Sequence, residues 1–298
     1  MWTTIPRMLR VIDRRSCRVA VLWLLGGACY VGPSPADEPG GTDEAGPPPS
    51  GTTPELPRSS AACPALVDGM VTFTVDGVAR EARVWLDPAA AAAMDGPVVF
   101  YWYGTGGAPD QAMNALGDGV SAITQRGGLV VAPVHINGGA FPWLDDSEAD
   151  HRLVDEVVAC ADETLGIDAQ HVHALGFSAG GLHTTGLSFA RSSYVASVAT
   201  YSGGGTGALQ DPAHVPSALI MHGGPSDVVS GFDFQIASTE YFDAAIEAGG
   251  YAALCDHGGG HSIPGQVGPD VTQFLLDHPF GVGASTLPAG LSGICAGP

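Results

Sequence analysis

The sequence contains no lysine, and cationic residues are scarce. All 11 cationic residues of the 298-residue chain are arginines, against 31 acidic residues, and the formal net charge is −20. Such a chain repels polyanions, so nucleic acid is not an expected partner. The missing lysine also argues against a P-loop at the glycine-rich segment 104–107, because that motif uses a lysine to reach phosphates. Neutral substrates are unaffected by the charge.

Long apolar runs are also missing. The apolar segment 19–25 is too short to span a bilayer, and five arginines precede it within residues 1–18. This order is typical of an export signal, which we place at residues 1–28. Residues 24–29 read LLGGAC and resemble a bacterial lipobox, in which Cys29 is lipidated after cleavage. Plain secretion and a membrane anchor helix are the alternatives.

Cysteine is infrequent, with six residues in the chain. Removal of Cys17 with the signal and lipidation of Cys29 leave four cysteines: Cys63, Cys160, Cys255 and Cys295. An even number in an exported protein predicts two disulfides, with buried free thiols as the alternative. Among the three connectivities we favour Cys63 with Cys160 and Cys255 with Cys295, because the last strand and the C-terminal tail should share a sheet edge.

The composition divides the chain after residue 60. Residues 29–60 are rich in Pro, Gly, Ser and Thr, with too few apolar side chains to offset the entropy of ordering, which predicts a disordered tether. Residues 61–298 are long enough for one domain with a sizeable core and short for two. They contain no internal repeat and no recognisable inserted lid.

The pattern of short apolar runs predicts an α/β fold. Alternating runs at 71–75 and 80–86, joined by an Asp-Gly turn, predict a β-hairpin. Six runs of the kind buried on both faces follow: 97–103, 129–134, 172–177, 195–201, 218–221 and 251–255. Helical stretches such as 150–164 and 234–248 lie between most of them. The expected structure is a mostly parallel sheet with helices on both faces, and the leading antiparallel hairpin fits the α/β-hydrolase order.

Ser178 is the candidate nucleophile. It lies in the segment 176–181, GFSAGG, between a strand-like run and a helix-permissive run. A nucleophile elbow needs this context, and flanking glycines permit its sharp turn because no Cβ obstructs it. A G-x-S-x-G match carries little weight alone in a chain with 43 glycines. Its position directly after a predicted strand carries the assignment.

An acid and a histidine follow Ser178 in the order of an α/β-hydrolase triad. Asp227 lies in the loop after the predicted strand 218–221 and would orient the histidine, with Asp233 as the alternative acid. His261 lies in the glycine-rich loop after the last strand and would take the serine proton. His257 competes with it, but its position nearer the strand favours a loop-stabilising hydrogen bond.

Two backbone amides are candidate donors to an oxyanion. The first is that of Ala179, directly after the nucleophile, and the second is that of Thr105, in the loop after the strand 97–103. Tyr103 and Trp143 are candidates for the substrate pocket. Trp143 would either line an acyl pocket or pack against the elbow.

No metal or other cofactor is expected. His171 and His173 share a strand face, and Cys255, Asp256, His257 and His261 cluster, but neither set has the spacing of a zinc site.

At this point the residues resemble a known group, the secreted feruloyl esterase and polyhydroxybutyrate depolymerase branch of the α/β-hydrolases, over roughly residues 63–280. Four segments carry the resemblance: YGTGG at 103–107, GFSAGG at 176–181, the His222-Gly223 loop that leads to Asp227, and Gly260-His261 with Pro264. Tyr103 stands where the branch usually has histidine, and Ile263 replaces a common tryptophan. These departures leave the triad intact and bear on acyl specificity.

The resemblance implies a serine carboxylic-ester hydrolase without cofactor, with Ser178, Asp227 and His261 as its triad. Its expected substrates are acylated polysaccharide fragments or hydroxyalkanoate-type esters, cleaved through an acyl-enzyme. We expect an exported protein, either a cell-envelope lipoprotein or secreted, that meets the membrane only through a lipid anchor. The alternatives are a serine peptidase on the same fold and a catalytically idle surface binding protein.

Overall fold

The computed structural model describes residues 53–136, 142–144, 147–282 and 287–296. All of them belong to one compact unit, Gly46–Pro298. The predicted signal at 1–28, the lipidation candidate Cys29 and the predicted tether up to residue 52 lie outside the described residues. In the part of the chain that is described, no helix is both long and apolar enough to cross a bilayer.

A nine-stranded sheet forms the centre of this unit. Its strands in chain order are β1 (Gly69–Val75), β2 (Val78–Leu86), β3 (Val98–Trp102), β4 (Leu129–Pro133), β5 (Val172–Phe177), β6 (Ser197–Tyr201), β7 (Ser217–His222), β10 (Ala252–Asp256) and β11 (Cys295–Ala296). Two short strands between β7 and β10 in the chain, β8 (Val228–Val229) and β9 (Phe232–Asp233), form a separate hairpin. The spatial order is β1-β2-β4-β3-β5-β6-β7-β10-β11. Six neighbouring strands run parallel: β4, β3, β5, β6, β7 and β10. The predicted antiparallel hairpin β1–β2 lies at one edge of the sheet.

Helices cover the sheet in two groups. They are α1 (Pro88–Ala91), α2 (Ala112–Leu116), α3 (Gly119–Thr124), α4 (Ser147–Leu165), α5 (Ala179–Ala190), α6 (Phe234–Glu247) and α7 (Gly268–Asp277). Helices α4 and α5 contact each other, and α2, α3 and α7 form a second set of contacts. Strand β6 contacts α5 of the first group and α7 of the second, so the sheet lies between them. The predicted mostly parallel α/β architecture is confirmed.

The central strands are buried along their whole length. Every residue of β3, β4, β6 and β7 is buried, which explains why these strands read as continuous apolar runs rather than alternating ones. The two short hairpin strands β8 and β9 were not predicted, because segments of two residues show no periodicity.

Two disulfides join segments that are distant in the sequence. Cys63 pairs with Cys160 of α4, and Cys255 of β10 pairs with Cys295 of β11. This is the connectivity that we favoured. Strand β11 pairs antiparallel with β10, so the C-terminal tail and the last parallel strand do share a sheet edge.

The end of the predicted tether requires a correction. Residues 53–60 lie against the domain: the Glu55 amide donates to the Ser193 carbonyl at 2.9 Å, and the Ser60 hydroxyl donates to the buried Glu156 carboxylate at 2.7 Å. The composition of this segment suggested disorder because it has few apolar groups. Hydrogen bonds from the backbone and serine side chains of the segment hold it on the domain surface.

Candidate active site

Ser178, Asp227 and His261 meet at one edge of the sheet. Ser178 follows β5, Asp227 lies in the loop after β7 and His261 lies in the loop after β10. These strands run parallel, so their carboxyl ends open at the same edge. His261 Nε2 lies 2.9 Å from Ser178 Oγ, and His261 Nδ1 lies 2.7 Å from Asp227 Oδ1. The serine hydroxyl can therefore donate to Nε2 while Nδ1 donates to the carboxylate.

A sharp turn presents Ser178 at this edge. Its backbone has φ 58° and ψ −121°, a left-handed conformation that is unfavourable for a residue with a Cβ. The Ser178 amide donates to the Tyr201 carbonyl at 2.9 Å. A Cβ on Gly180 would lie 2.0 Å from the Trp102 carbonyl oxygen, so α5 begins in direct contact with the backbone of β3. Glycine is required there, and this close packing holds the strained turn in place.

Two glycines bring the acid-bearing and histidine-bearing loops together. The Gly260 amide donates to the Gly223 carbonyl at 3.0 Å. A Cβ on Gly223 would lie 1.9 Å from the Gly260 carbonyl oxygen, so a side chain at Gly223 would separate the loops. This backbone contact sets the distance between Asp227 and His261.

Asp227 is a fully buried carboxylate with three donors. It accepts from His261, from the Gly223 amide at 2.9 Å and from the Ser202 hydroxyl at 2.8 Å. Burial acts to raise the pKa of Asp227, but these hydrogen bonds outweigh it and hold that pKa below its usual range. An ionised Asp227 can orient the imidazole and stabilise its protonated form.

The two competing residues have other roles. Asp233 caps the amino end of α6, where its carboxylate accepts from the Ile236 amide at 3.1 Å. His257 Nδ1 accepts from the Gly259 amide at 3.2 Å, as expected of a loop-stabilising histidine. In the structure His261, not His257, is hydrogen-bonded to Ser178, and Asp227, not Asp233, is hydrogen-bonded to His261.

Aromatic rings flank the His261 imidazole. The ring of Phe177 lies 4.9 Å from it and the ring of Phe234 lies 4.6 Å from it, centroid to centroid. Phe234 is also tied to the acid, because its amide donates to the Asp227 carbonyl at 3.0 Å. Neither phenylalanine was identified as a site residue from the sequence, and both pack against the imidazole.

Both candidate oxyanion donors lie next to the elbow. Ala179 opens α5, so its amide has no acceptor within the helix. The Thr105 loop reaches the serine through Gly104, where a Cβ would lie 3.0 Å from Ser178 Cβ. The Gly104 amide donates to Gln111 Oε1 at 3.3 Å, whereas the Thr105 amide has no hydrogen-bond partner within the described ranges. The Thr105 amide is therefore free to donate, as is that of Gly106 next to it.

Tyr103 and Trp143 are buried and are not among the described residues that line the groove beside His261. Trp143 is fully buried, its indole Nε1 donates to the Tyr103 carbonyl at 2.8 Å, and the two rings meet edge to face. The Tyr103 hydroxyl accepts from the His135 amide at 2.9 Å. Because both polar atoms find partners inside the protein, the two aromatics pack against each other. These contacts agree with the packing alternative for Trp143, and a role of Tyr103 or Trp143 in a substrate pocket stays a prediction.

An open groove of about 500 Å³ adjoins the triad. Its lining includes Met113, Asn114, Phe177, His261 and Ile263. No aspartate, glutamate or arginine is among the described residues that line it. The groove is thus suited to an uncharged ligand, despite the acidity of the whole chain.

Ser202 was missed by the sequence analysis. It directly follows β6, it is fully buried, and its φ of 51° is again left-handed. Its position at the carboxyl end of a predicted strand, in the glycine-rich segment 202–205, was the available signal. In the described part of the chain, no group of three or more His, Cys, Asp or Glu side chains is arranged to hold a metal ion.

Comparisons with known proteins support the fold. No family model matches the chain. It is 30% identical over 126 residues to probable feruloyl esterase C of Aspergillus flavus, covering 42% of this chain and 45% of that protein. It is 30% identical over 169 residues to putative esterase NocK of Nocardia uniformis, covering 52% and 45%. The matched regions thus span less than half the length of these relatives.

A solved structure extends the likeness to most of the domain. The crystal structure of native pOPH superposes with a TM-score of 0.61 at 18% identity, covering 79% of this chain and 97% of that chain. At this identity the likeness concerns the fold alone. Together with the sheet order and the position of Ser178, it confirms the predicted α/β-hydrolase fold.

Replacing Ser202 tests its support of Asp227. Ser202→Ala removes one hydrogen bond to a charged group, which is worth about 1.5–3 kcal/mol. We expect kcat on a Ser178-dependent substrate to fall on the order of 10-fold. Ser202→Gly is the matched control, because glycine tolerates the positive φ without strain. Equal losses in both variants assign the effect to the hydroxyl, and full activity of the glycine variant would assign it to backbone strain.

Proposed function

We propose that this α/β-hydrolase chain is a serine carboxylic-ester hydrolase. The observation that supports this most strongly is the continuous hydrogen-bond chain from the Ser178 hydroxyl through His261 to the buried Asp227 carboxylate. Partial similarity to a probable feruloyl esterase and a putative esterase points the same way.

In the proposed reaction Ser178 Oγ attacks the ester carbonyl carbon while His261 Nε2 accepts the hydroxyl proton. The amides of Ala179 and Thr105 donate to the negative carbonyl oxygen of the tetrahedral intermediate. His261 returns the proton to the departing alkoxide, which leaves as an alcohol. The acyl group stays bound to Ser178 as an acyl-enzyme. Water then attacks the acyl group with His261 as base, which releases the carboxylic acid and restores the serine.

The proposed substrates are uncharged esters, such as acylated polysaccharide fragments or hydroxyalkanoate-type esters. The absence of carboxylates and guanidinium groups from the described lining of the groove supports a neutral ligand. Asn114 and Ser262 offer hydrogen-bonding groups, and Met113 and Ile263 offer apolar contact.

We further propose that the protein is exported and held at the cell envelope by a lipid on Cys29. Two disulfides fit an oxidising compartment. The export signal and the lipobox-like segment 24–29 rest on the sequence alone.

Ser178→Ala tests the nucleophile. We expect hydrolysis of p-nitrophenyl acetate and butyrate to fall by at least four orders of magnitude, because no hydroxyl remains to form the acyl-enzyme. Labelling by a fluorophosphonate probe should disappear with it, while the melting temperature stays close to that of the wild type. Substantial hydrolysis by the variant would contradict the assignment. Turnover of an amide panel in preference to esters would favour a peptidase.

The two neighbouring aspartates provide a matched pair. Asp227→Asn should lower kcat by about 10⁴-fold, as loss of the equivalent carboxylate does in a serine protease triad. Asp233→Asn keeps a helix-capping side chain and should change kcat less than threefold. Steady-state kinetics of both variants on the same ester distinguish the roles. A larger loss in the Asp233 variant would transfer the assignment to that residue.

Cys29→Ala tests the proposed anchor. If Cys29 carries the lipid, this variant should move from the membrane fraction to the soluble fraction of a bacterial host that processes lipoproteins. Cys17→Ala, which changes the other cysteine of the N-terminal region, is the control and should leave fractionation unchanged. Membrane association that survives Cys29→Ala would exclude the lipobox interpretation.

A further inference from the structure

Exposed apolar side chains are concentrated beside the candidate active site. Among the described residues, four large hydrophobic side chains that are at least two-fifths exposed lie within the nine positions 228–236: Val228 (44%), Val229 (41%), Phe232 (46%) and Ile236 (58%). Elsewhere in the described chain such residues occur singly or in pairs. Scattered exposed hydrophobics need no explanation, whereas a contiguous group usually marks a binding surface. We call these four residues the apolar rim.

The rim belongs to the hairpin that follows the catalytic acid in the chain. Val228 is the residue after Asp227, and β8 and β9 pair Val229 directly with Phe232. Directly paired residues of an antiparallel ladder project from the same face, so these two side chains form one apolar surface. Burying them inside the protein would stabilise the fold, yet they face solvent.

Aromatic contacts connect the rim to the triad. The Phe232 ring lies 4.8 Å from the ring of Phe234, and the Phe234 ring lies 4.6 Å from the His261 imidazole. Phe177 flanks the same imidazole and lines the groove, in which Met113 and Ile263 add further apolar surface. The exposed Phe232 ring is therefore separated from the imidazole by one ring, that of the buried Phe234, and the groove lies on the Phe177 side of the same imidazole.

We propose that the apolar rim binds the hydrocarbon part of the acyl group of a medium-chain ester, an inference that rests on the proposed esterase function. A chain that leaves the carbonyl at Ser178 and passes the imidazole would remove the rim from water. Each methylene that it buries there contributes favourable transfer free energy. The rim would thus favour substrates with longer acyl chains over acetates.

The test compares chain-length selectivity in two matched double variants. Val229→Thr with Phe232→Thr makes the paired surface of the rim polar and keeps β-forming side chains in the hairpin. Met70→Thr with Val78→Thr is the control, because both residues are 52% exposed and lie on the β1–β2 hairpin, which is separated in the sheet from the strands β5, β7 and β10 that precede the triad residues. For each protein we would measure kcat/KM on p-nitrophenyl acetate, butyrate and octanoate, together with the melting temperature.

We expect the octanoate-to-acetate ratio of kcat/KM to fall at least fivefold in the rim variant, mainly through a higher KM for octanoate, and to stay unchanged in the control. An unchanged ratio in a folded rim variant, whether or not both esters are cleaved more slowly, would overturn the inference and leave the proposed esterase function intact. If the wild type shows no Ser178-dependent hydrolysis of any ester, the proposed function fails and the inference fails with it.

Discussion

The buried carboxylate of Asp227 is the interaction on which the candidate site depends. A charge without water must find donors nearby, and Asp227 finds them on three separate segments: His261 after β10, Ser202 after β6 and the Gly223 amide after β7. The carboxylate therefore ties together the loops at the carboxyl edge of three adjacent strands. The same bonds lower its pKa and align the imidazole, so stability of the edge and readiness for proton transfer have one origin.

Close backbone contacts provide the second constraint. Gly180 lies against the Trp102 carbonyl and Gly223 lies against the Gly260 carbonyl, at distances that leave no space for a side chain. These contacts hold Ser178 in its left-handed turn and bring His261 within reach of Asp227. Tyr103 and Trp143 are buried and pack edge to face in the interior. Loops carried by such a packed scaffold are a suitable place for a site that must accept a ligand.

Sequence patterns predicted those parts of the molecule that local physics determines. Strands such as β5 and β3 were predicted nearly to the residue, because a strand buried on both faces must be continuously apolar. The elbow at Ser178 was visible because glycines flank it directly after a strand. The hairpin β8–β9 was not visible because strands of two residues show no periodicity. The ordering of residues 53–60 was not visible because it depends on contacts with distant segments.

The sequence by itself determined the α/β class, the order of the parallel strands along the chain and the candidates Ser178, Asp227 and His261. The reason is that strand ends, glycine-rich turns and chain order are local properties. Only the tertiary structure placed Asp227 rather than Asp233 against His261, brought Ser202 to the Asp227 carboxylate and buried Trp143 against Tyr103. Those outcomes depend on which side chains are buried and on distances across the sheet edge, and these are set by the packing of segments that lie far apart in the chain.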